Sequence, residues 1–358
     1  MIRSIYHGLA LFALSTATIA QTPGVYYPDV KQGRALVFPK DHGAHPDFRT
    51  EWWYVTGAVN SNKGKELGFQ ITFFRTRPRV DAQNPSKFAP QQVLFAHAAV
   101  SDPAVGKLLH DQRAARSGFG IAEAKIGDAD VHIKDWRFVR LADGRFAAKI
   151  KAQGFTLDLV FTPKQPPILQ GEGGYSRKGS DPRSASYYYS LPQLATTGTV
   201  TRGTSTERVT GRSWLDREWS SRYLGGTAVG WDWTGLNFDD GSALMAFRIR
   251  GNDSNTLWAG GTFRRANGTT VTLKPNDVRF TPMRTWRSKR TGAKYPVAQT
   301  LTITLPEGQK RLTLTPMFAD QELDARSSGL PVYWEGLVRT QGGRGYLELT
   351  GYAAPLAM

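Results

Sequence analysis

Phe48 to Gly57, FRTEWWYVTG, sets a carboxylate beside three consecutive aromatic residues and among three β-branched ones. Bulky aromatic and β-branched residues favour a pleated strand. Side chains alternate along a strand with a period of two, so Glu51 and Trp53 share one face and Trp52 and Tyr54 the other. The same style recurs at Phe69 to Phe73, Val93 to Val100 and Thr156 to Phe161, and then from Trp231 to Phe238, Ala243 to Arg250, Leu257 to Phe263, Thr300 to Leu305, Arg311 to Thr315, Val332 to Arg339 and Tyr346 to Tyr352. Clusters of Gly, Pro, Asn and Asp break these runs, and few windows carry a helical stripe. The pattern predicts an all-β protein made of two antiparallel β-barrels in tandem, a class whose interiors commonly hold one apolar ligand.

The Pro- and Gly-rich stretch over 162–186 reads as a long loop, strand-like residues follow, and Thr204 to Arg208 reads as a hairpin turn. The expected division is a leader over 1–20, a first barrel over 21–221 and a second over 222–358.

The 358-residue length suits two such domains, and 40% hydrophobic with 11% aromatic residues is enough for substantial cores. Arg3, the apolar run Leu9 to Leu14 and the small residues Ala17 to Ala20 form an export leader cut after Ala20, which predicts a periplasmic or secreted protein. That apolar run is shorter than the roughly 20 residues a spanning helix needs. With no cysteine in the chain, disulfides and thiol catalysis are excluded. The formal net charge is +16, yet the basic residues are scattered and their densest groups, Arg75 to Arg79 and Arg284 to Arg290, are short and loop-like. This argues against a nucleic-acid partner and leaves peripheral contact with an anionic envelope surface, or simple solvation.

Ring faces beside ionisable groups recur in Gly211 to Ser220, GRSWLDREWS. Alternation there lines up Trp214, Asp216 and Glu218 on one face and Arg217 and Trp219 on the other. Two neighbouring carboxylates push one toward protonation, which yields a proton donor near neutral pH; the other reading is an Asp-Arg-Glu ion-pair network at the domain junction. Glu51 is read in two ways as well, as a desolvated general acid or as the partner of Arg49 or Arg75. Arg75, at the end of an apolar face, is either such a partner or a ligand anchor. His97 in LFAHAAV, Tyr189 in SYYYS, and Trp231 with Trp233 around Asp232 are candidate ligand contacts, each with ordinary core packing as its alternative. The loop with Asp41, His42, His45 and Asp47 offers no placed third ligand, so it is read as hydrated surface, and no metal is expected. Nucleophile elbow, phosphate loop and zinc-protease motifs are all missing, which removes the support for a hydrolase.

In order along the chain, FPKDHGAHPDFRTEWWYVTG, GFQITFFR, LFAHAAVSD, SYYYSLPQL, GRSWLDREWSS, YWEG and GYLELTGY resemble the secreted branch of the AttH and CrtC family of carotenoid 1,2-hydratase-like proteins. The resemblance implies two lipocalin-like barrels, a pocket near their junction and no metal or organic cofactor. For hydratase members it further implies acid-catalysed addition of water to a carbon-carbon double bond. This chain departs from the hydratases at Arg217 and in LMAFRIR over Leu244 to Arg250, so the resemblance carries an apolar ligand further than a given reaction.

The combined expectation is an exported protein that binds an isoprenoid or lipid-like molecule near the junction. For cofactor-free hydration or isomerisation of a carbon-carbon double bond, Asp216 or Glu218 would be the acid, with Glu51 assisting and Trp52, Tyr54, Arg75, His97, Tyr189, Trp214, Trp219, Trp231 and Trp233 in contact. The alternatives are a non-catalytic carrier, or an accessory to envelope assembly or export.

Overall fold

The computed structural model describes residues 25–81 and 83–356, so the leader expected over 1–20 lies outside the described residues. Among the described residues there is no α-helix, only short 3-10 turns such as Lys40–His42 and Pro275–Asp277. The strands form two antiparallel sheets of 13 and 10 strands, which part between Arg222 and Ala228. This is the all-β architecture that the alternating pattern predicts, in the lipocalin-like form that the resemblance implies.

At the centre of the first sheet, Thr50–Ser61 pairs with Glu66–Thr76 on one side and Ser205–Arg222 on the other. Ser205–Arg222 then pairs with the equally long Ala185–Arg202. Arg202 faces Ser205 across a two-residue turn in which Gly203 takes a φ of 56°, so the turn expected over Thr204 to Arg208 is tighter, and strand resumes at Ser205. The loop expected over 162–186 also contributes two short strands, Ile168–Leu169 and Tyr175–Arg177, both paired with Ala185–Arg202. In the second sheet the first strand, Ala228–Phe238, pairs with the last, Gly343–Leu349.

Burial patterns show where the sheets are covered. Phe155–Thr162 alternates buried and half-open residues, as a barrel wall facing water does. Thr50–Ser61, Ser205–Arg222 and Ala228–Phe238 are instead buried on both faces along much of their length. Parity explains this. Trp53, Val55, Leu215 and Trp219 point into the first barrel's core, whereas Tyr54, Ala58 and Trp214 join Trp233, Phe247, Leu337 and Tyr346 in a separate cluster between the two sheets. The second barrel shows the same division, with Leu236, Leu244 and Leu347 inside it.

The two barrels therefore meet face to face. At Gly68 an added Cβ would lie 2.6 Å from the Tyr346 hydroxyl and 3.0 Å from the Leu337 Cβ, so the missing side chain lets the sheets approach.

Candidate active site

Between the facing sheets lies a cavity of about 340 Å³, within the range of roughly 300–1,000 Å³ usual for small-molecule sites. Its wall is mostly aromatic. Trp52 stacks on Tyr223 at 4.5 Å, and Tyr54 meets Trp233 edge to face at 5.3 Å. Phe74, Phe247 and Trp231 continue the apolar surface.

Four carboxyl groups, Asp216, Glu218, Glu335 and Glu348, line this cavity against one ammonium, Lys178. Were all ionised, the enclosed charge would be very costly. Glu218 is neutralised directly: the Lys178 Nζ lies 2.9 Å from its carboxylate, and the Ser186 hydroxyl also donates to it. Lys178 in turn sits over the rings of Tyr188 and Phe247.

Asp216 has no cationic partner. Ser190 Oγ, Tyr188 Oη and Trp214 Nε1 donate to it at 2.5, 2.7 and 2.7 Å, and Tyr188 Oη accepts from Trp233 Nε1 at 3.0 Å. Burial pushes its pKa up; the three donors pull it back, and Glu218 adds a smaller upward push, leaving it at about 7. The main cause is thus desolvation rather than the neighbouring carboxylate.

Glu335 and Glu348 stand directly opposite each other on the paired strands Val332–Thr340 and Gly343–Leu349, a placement in which like charges repel. Glu348 accepts a hydrogen bond from Trp231 Nε1 at 2.9 Å, while both oxygens of the buried Glu335 lack a well-formed partner, as does the Tyr54 hydroxyl. Burial is the main cause that raises the proton affinity of both: the charge of Glu348 pushes Glu335 further above the usual carboxylate range, and Glu348, pulled back by Trp231 and pushed up by Asp216 and Glu218, comes to about 7. Near neutral pH the pair retains at least one proton.

The structure brings together Asp216, Glu218, Trp52, Tyr54, Trp231 and Trp233 around this cavity. It places the other sequence candidates elsewhere. Glu51 points into the first barrel, held 2.6 Å from Arg75 Nε and also paired with Arg217 and the backbone N–H of His45. Burial would raise its pKa, but the two guanidinium charges overturn that and hold it well below the usual range, so it cannot serve as the assisting acid. Arg75 is accordingly a structural partner rather than a ligand anchor. Trp219 stacks on His45 at 3.8 Å in the barrel core, and Tyr189 bonds His42 Nδ1 at 2.6 Å. Trp214 lies behind the cavity wall as a donor to Asp216. His97 is likewise one layer back, bonded to the lining Tyr333 hydroxyl at 2.7 Å, and burial lowers its pKa to about 3.

The loop with His42 and His45 is no hydrated surface. Asp41 and His42 are buried against the first barrel, where Asp41 binds Arg34 and His42 meets Tyr189 and Phe146. Among the described residues no group of His, Asp and Glu is arranged to hold a metal ion.

The alternating pattern offered a signal for the missed residues. In Tyr333-Trp334-Glu335 and Tyr346-Leu347-Glu348, an acid shares a face with a tyrosine in an otherwise apolar strand. Alternation in SYYYS sets Tyr188 on the face opposite Tyr189 without saying which face meets the cavity, and Lys178 had no signal, since only the tertiary fold brings it to Glu218.

The AttH-like family profile matches residues 29–352 of the chain. The chain belongs to the AttH-like family. A crystal structure described as an AttH from Nitrosomonas europaea shares 54% identity with this AttH-like chain, covering 91% of it and 99% of the other, at a TM-score of 0.84. Kievitone hydratase from Nectria haematococca shares the fold at 16% identity and a TM-score of 0.67, covering 92% of this chain and 96% of its own. CghA, in its complex with Sch210972, does so at 14% identity and a TM-score of 0.53, covering 85% and 89%. A comparison with curated proteins found no match.

Proposed function

We propose that the junction cavity takes an apolar, isoprenoid or lipid-like molecule and adds water across one of its carbon-carbon double bonds, or removes it, without a cofactor. The observation that carries this reading is the set of Asp216, Glu335 and Glu348, carboxyl groups of raised proton affinity facing one aromatic-walled space. Neutral Asp216 gives its proton to one alkene carbon, and the cation that forms on the other is met by the ring faces of Trp52 and Trp233. Water adds to the cation and passes its surplus proton to the Glu335–Glu348 pair, from which a proton returns to Asp216. The balance is one water per double bond, and the reverse order gives dehydration. A fold shared with kievitone hydratase supports the same direction.

The export leader expected over 1–20 makes a periplasmic or secreted setting part of this proposal, and the net charge of +16 would favour an anionic envelope surface or an export system nearby.

The test is incubation with a panel of acyclic isoprenoids and unsaturated lipids in heavy-oxygen water, with mass spectrometry to detect the label. Asp216→Asn is expected to lower turnover by about 100-fold or more. Label uptake unchanged in Asp216→Asn, Glu335→Gln and Glu348→Gln would reject the acid roles. Tight binding of panel members with no label in the wild type would leave a carrier.

A further inference from the structure

A second hollow, of about 400 Å³, adjoins the cavity and shares Arg49, Thr50, Tyr223 and Leu224 with it. The first described residues, Val25 to Tyr27 and Asp29, wall one side of it, and Arg79, Ser221 and Arg222 the other. It is the mouth of the site, and it is basic where the depth carries carboxyl groups. Arg49, Arg79 and Arg222 bring three guanidinium groups against the single carboxylate of Asp29. Among the described residues none of the three makes a side-chain ion pair or hydrogen bond; Arg49 and Arg222 are held through backbone atoms only. Arg79 and Arg222 are exposed and Arg49 half-buried, so all three can turn toward a guest.

We infer that the ligand is an amphiphile with an anionic head, a carboxylate or a phosphate, which rests among Arg49, Arg79 and Arg222 while its apolar body fills the inner cavity. This rests on the apolar-ligand reading above and adds the head group and the direction of entry. The two ends of the site enforce one orientation. An anionic head driven inward would lose its hydration among aromatic walls, where the one ammonium, Lys178, already pairs with Glu218 and the other carboxyl groups offer it no counter-charge. At the mouth the same head meets guanidinium groups that have no partner among the described residues, and their planar forks suit carboxylate and phosphate oxygens. Any double bond near Asp216 would therefore belong to the tail, remote from the head.

Palmitate, cetyl phosphate and cetyl alcohol carry the same hydrocarbon chain and differ in the head, so they separate the two contributions. Their affinities for the purified protein can be read from quenching of its tryptophan fluorescence at low and high salt. Both anionic probes are expected to bind roughly tenfold more tightly than the alcohol at low salt, with the preference shrinking as salt rises. The double variant Arg79→Gln, Arg222→Gln leaves the inner wall intact; it should cut the preference to about threefold or less and leave alcohol binding unchanged. A preference limited to one anion supports the inference and names the head group. Equal affinity for all three probes overturns it while the apolar cavity stands. A preference that survives the double variant also overturns it, since the attraction would then come from the protein's overall positive charge. Failure of all three probes, the alcohol included, removes the apolar-cavity reading and this inference with it.

Discussion

Replacing Asp216 by Asn should change how stability depends on pH more than it changes stability at any single pH. Burial, opposed by Ser190, Tyr188 and Trp214, lifts the pKa of Asp216 from 3.8 to about 7. Between those values the folded protein holds a proton that the unfolded chain has released. Stability therefore falls as pH rises through the window from about 4 to about 7, and below it the penalty is absent. Each pKa unit is worth about 1.4 kcal/mol, so a shift of some three units costs the wild type about 4 kcal/mol by pH 8. The variant's amide cannot titrate and escapes that loss, although it must place its own donor among three others, a fixed cost of about 1–3 kcal/mol. Chemical denaturation of both proteins from pH 4 to pH 8 would read the difference. The variant should be the less stable at the acid end and gain on the wild type by about 4 kcal/mol across the window. Stability curves that stay parallel would show that Asp216 is ionised throughout, and the proposed proton donor would be lost.

Three other perturbations test other parts of the site. Glu51→Gln leaves Arg75 and Arg217 buried without their carboxylate; it should cost about 3–5 kcal/mol in denaturant unfolding and leave the pH profile of turnover in place. Gly68→Val forces a side chain against Tyr346 and Leu337 at the barrel interface, with an expected loss of about 1–3 kcal/mol in thermal unfolding; an unchanged melting temperature would show that the barrels are not closely docked there. Trp52→Ala removes the ring stacked on Tyr223 and should weaken binding of an uncharged apolar probe by about 1–3 kcal/mol, readable by titration calorimetry.

The fold was legible because strand periodicity is a local property. Trp52, Trp53 and Tyr54 alternate in the sequence, and the two faces they define are those that separate the barrel core from the junction. Which face was the functional one was not legible. Glu51 and Asp216 look alike in sequence, each an acid beside tryptophans and near an arginine. Their fates depend on pairing register: Glu51 stands opposite Arg75, whereas Asp216 stands opposite Tyr54 and Ser190. Register is a tertiary fact that a one-residue slip would reverse. The Glu335–Glu348 pair was hidden for the same reason, since the two acids lie in separate runs and oppose each other only once the last two strands pair.

One contrast carries the chemistry further. Glu51 and Asp216 are both fully enclosed, so desolvation acts on both in the same direction, yet they end on opposite sides of the usual carboxylate range. What differs is the kind of partner. Two guanidinium groups hold Glu51 as an anion at any pH the protein meets, and such a group can neither give nor take a proton at useful cost. Asp216 has only neutral donors, which stabilise the anion enough to let the proton leave but not enough to expel it. A pKa near neutrality is the balance a proton donor needs in order to be loaded at rest and still able to release. A guanidinium brought against Asp216 would give it the same fate as Glu51. The site's capacity to protonate a guest would then be gone.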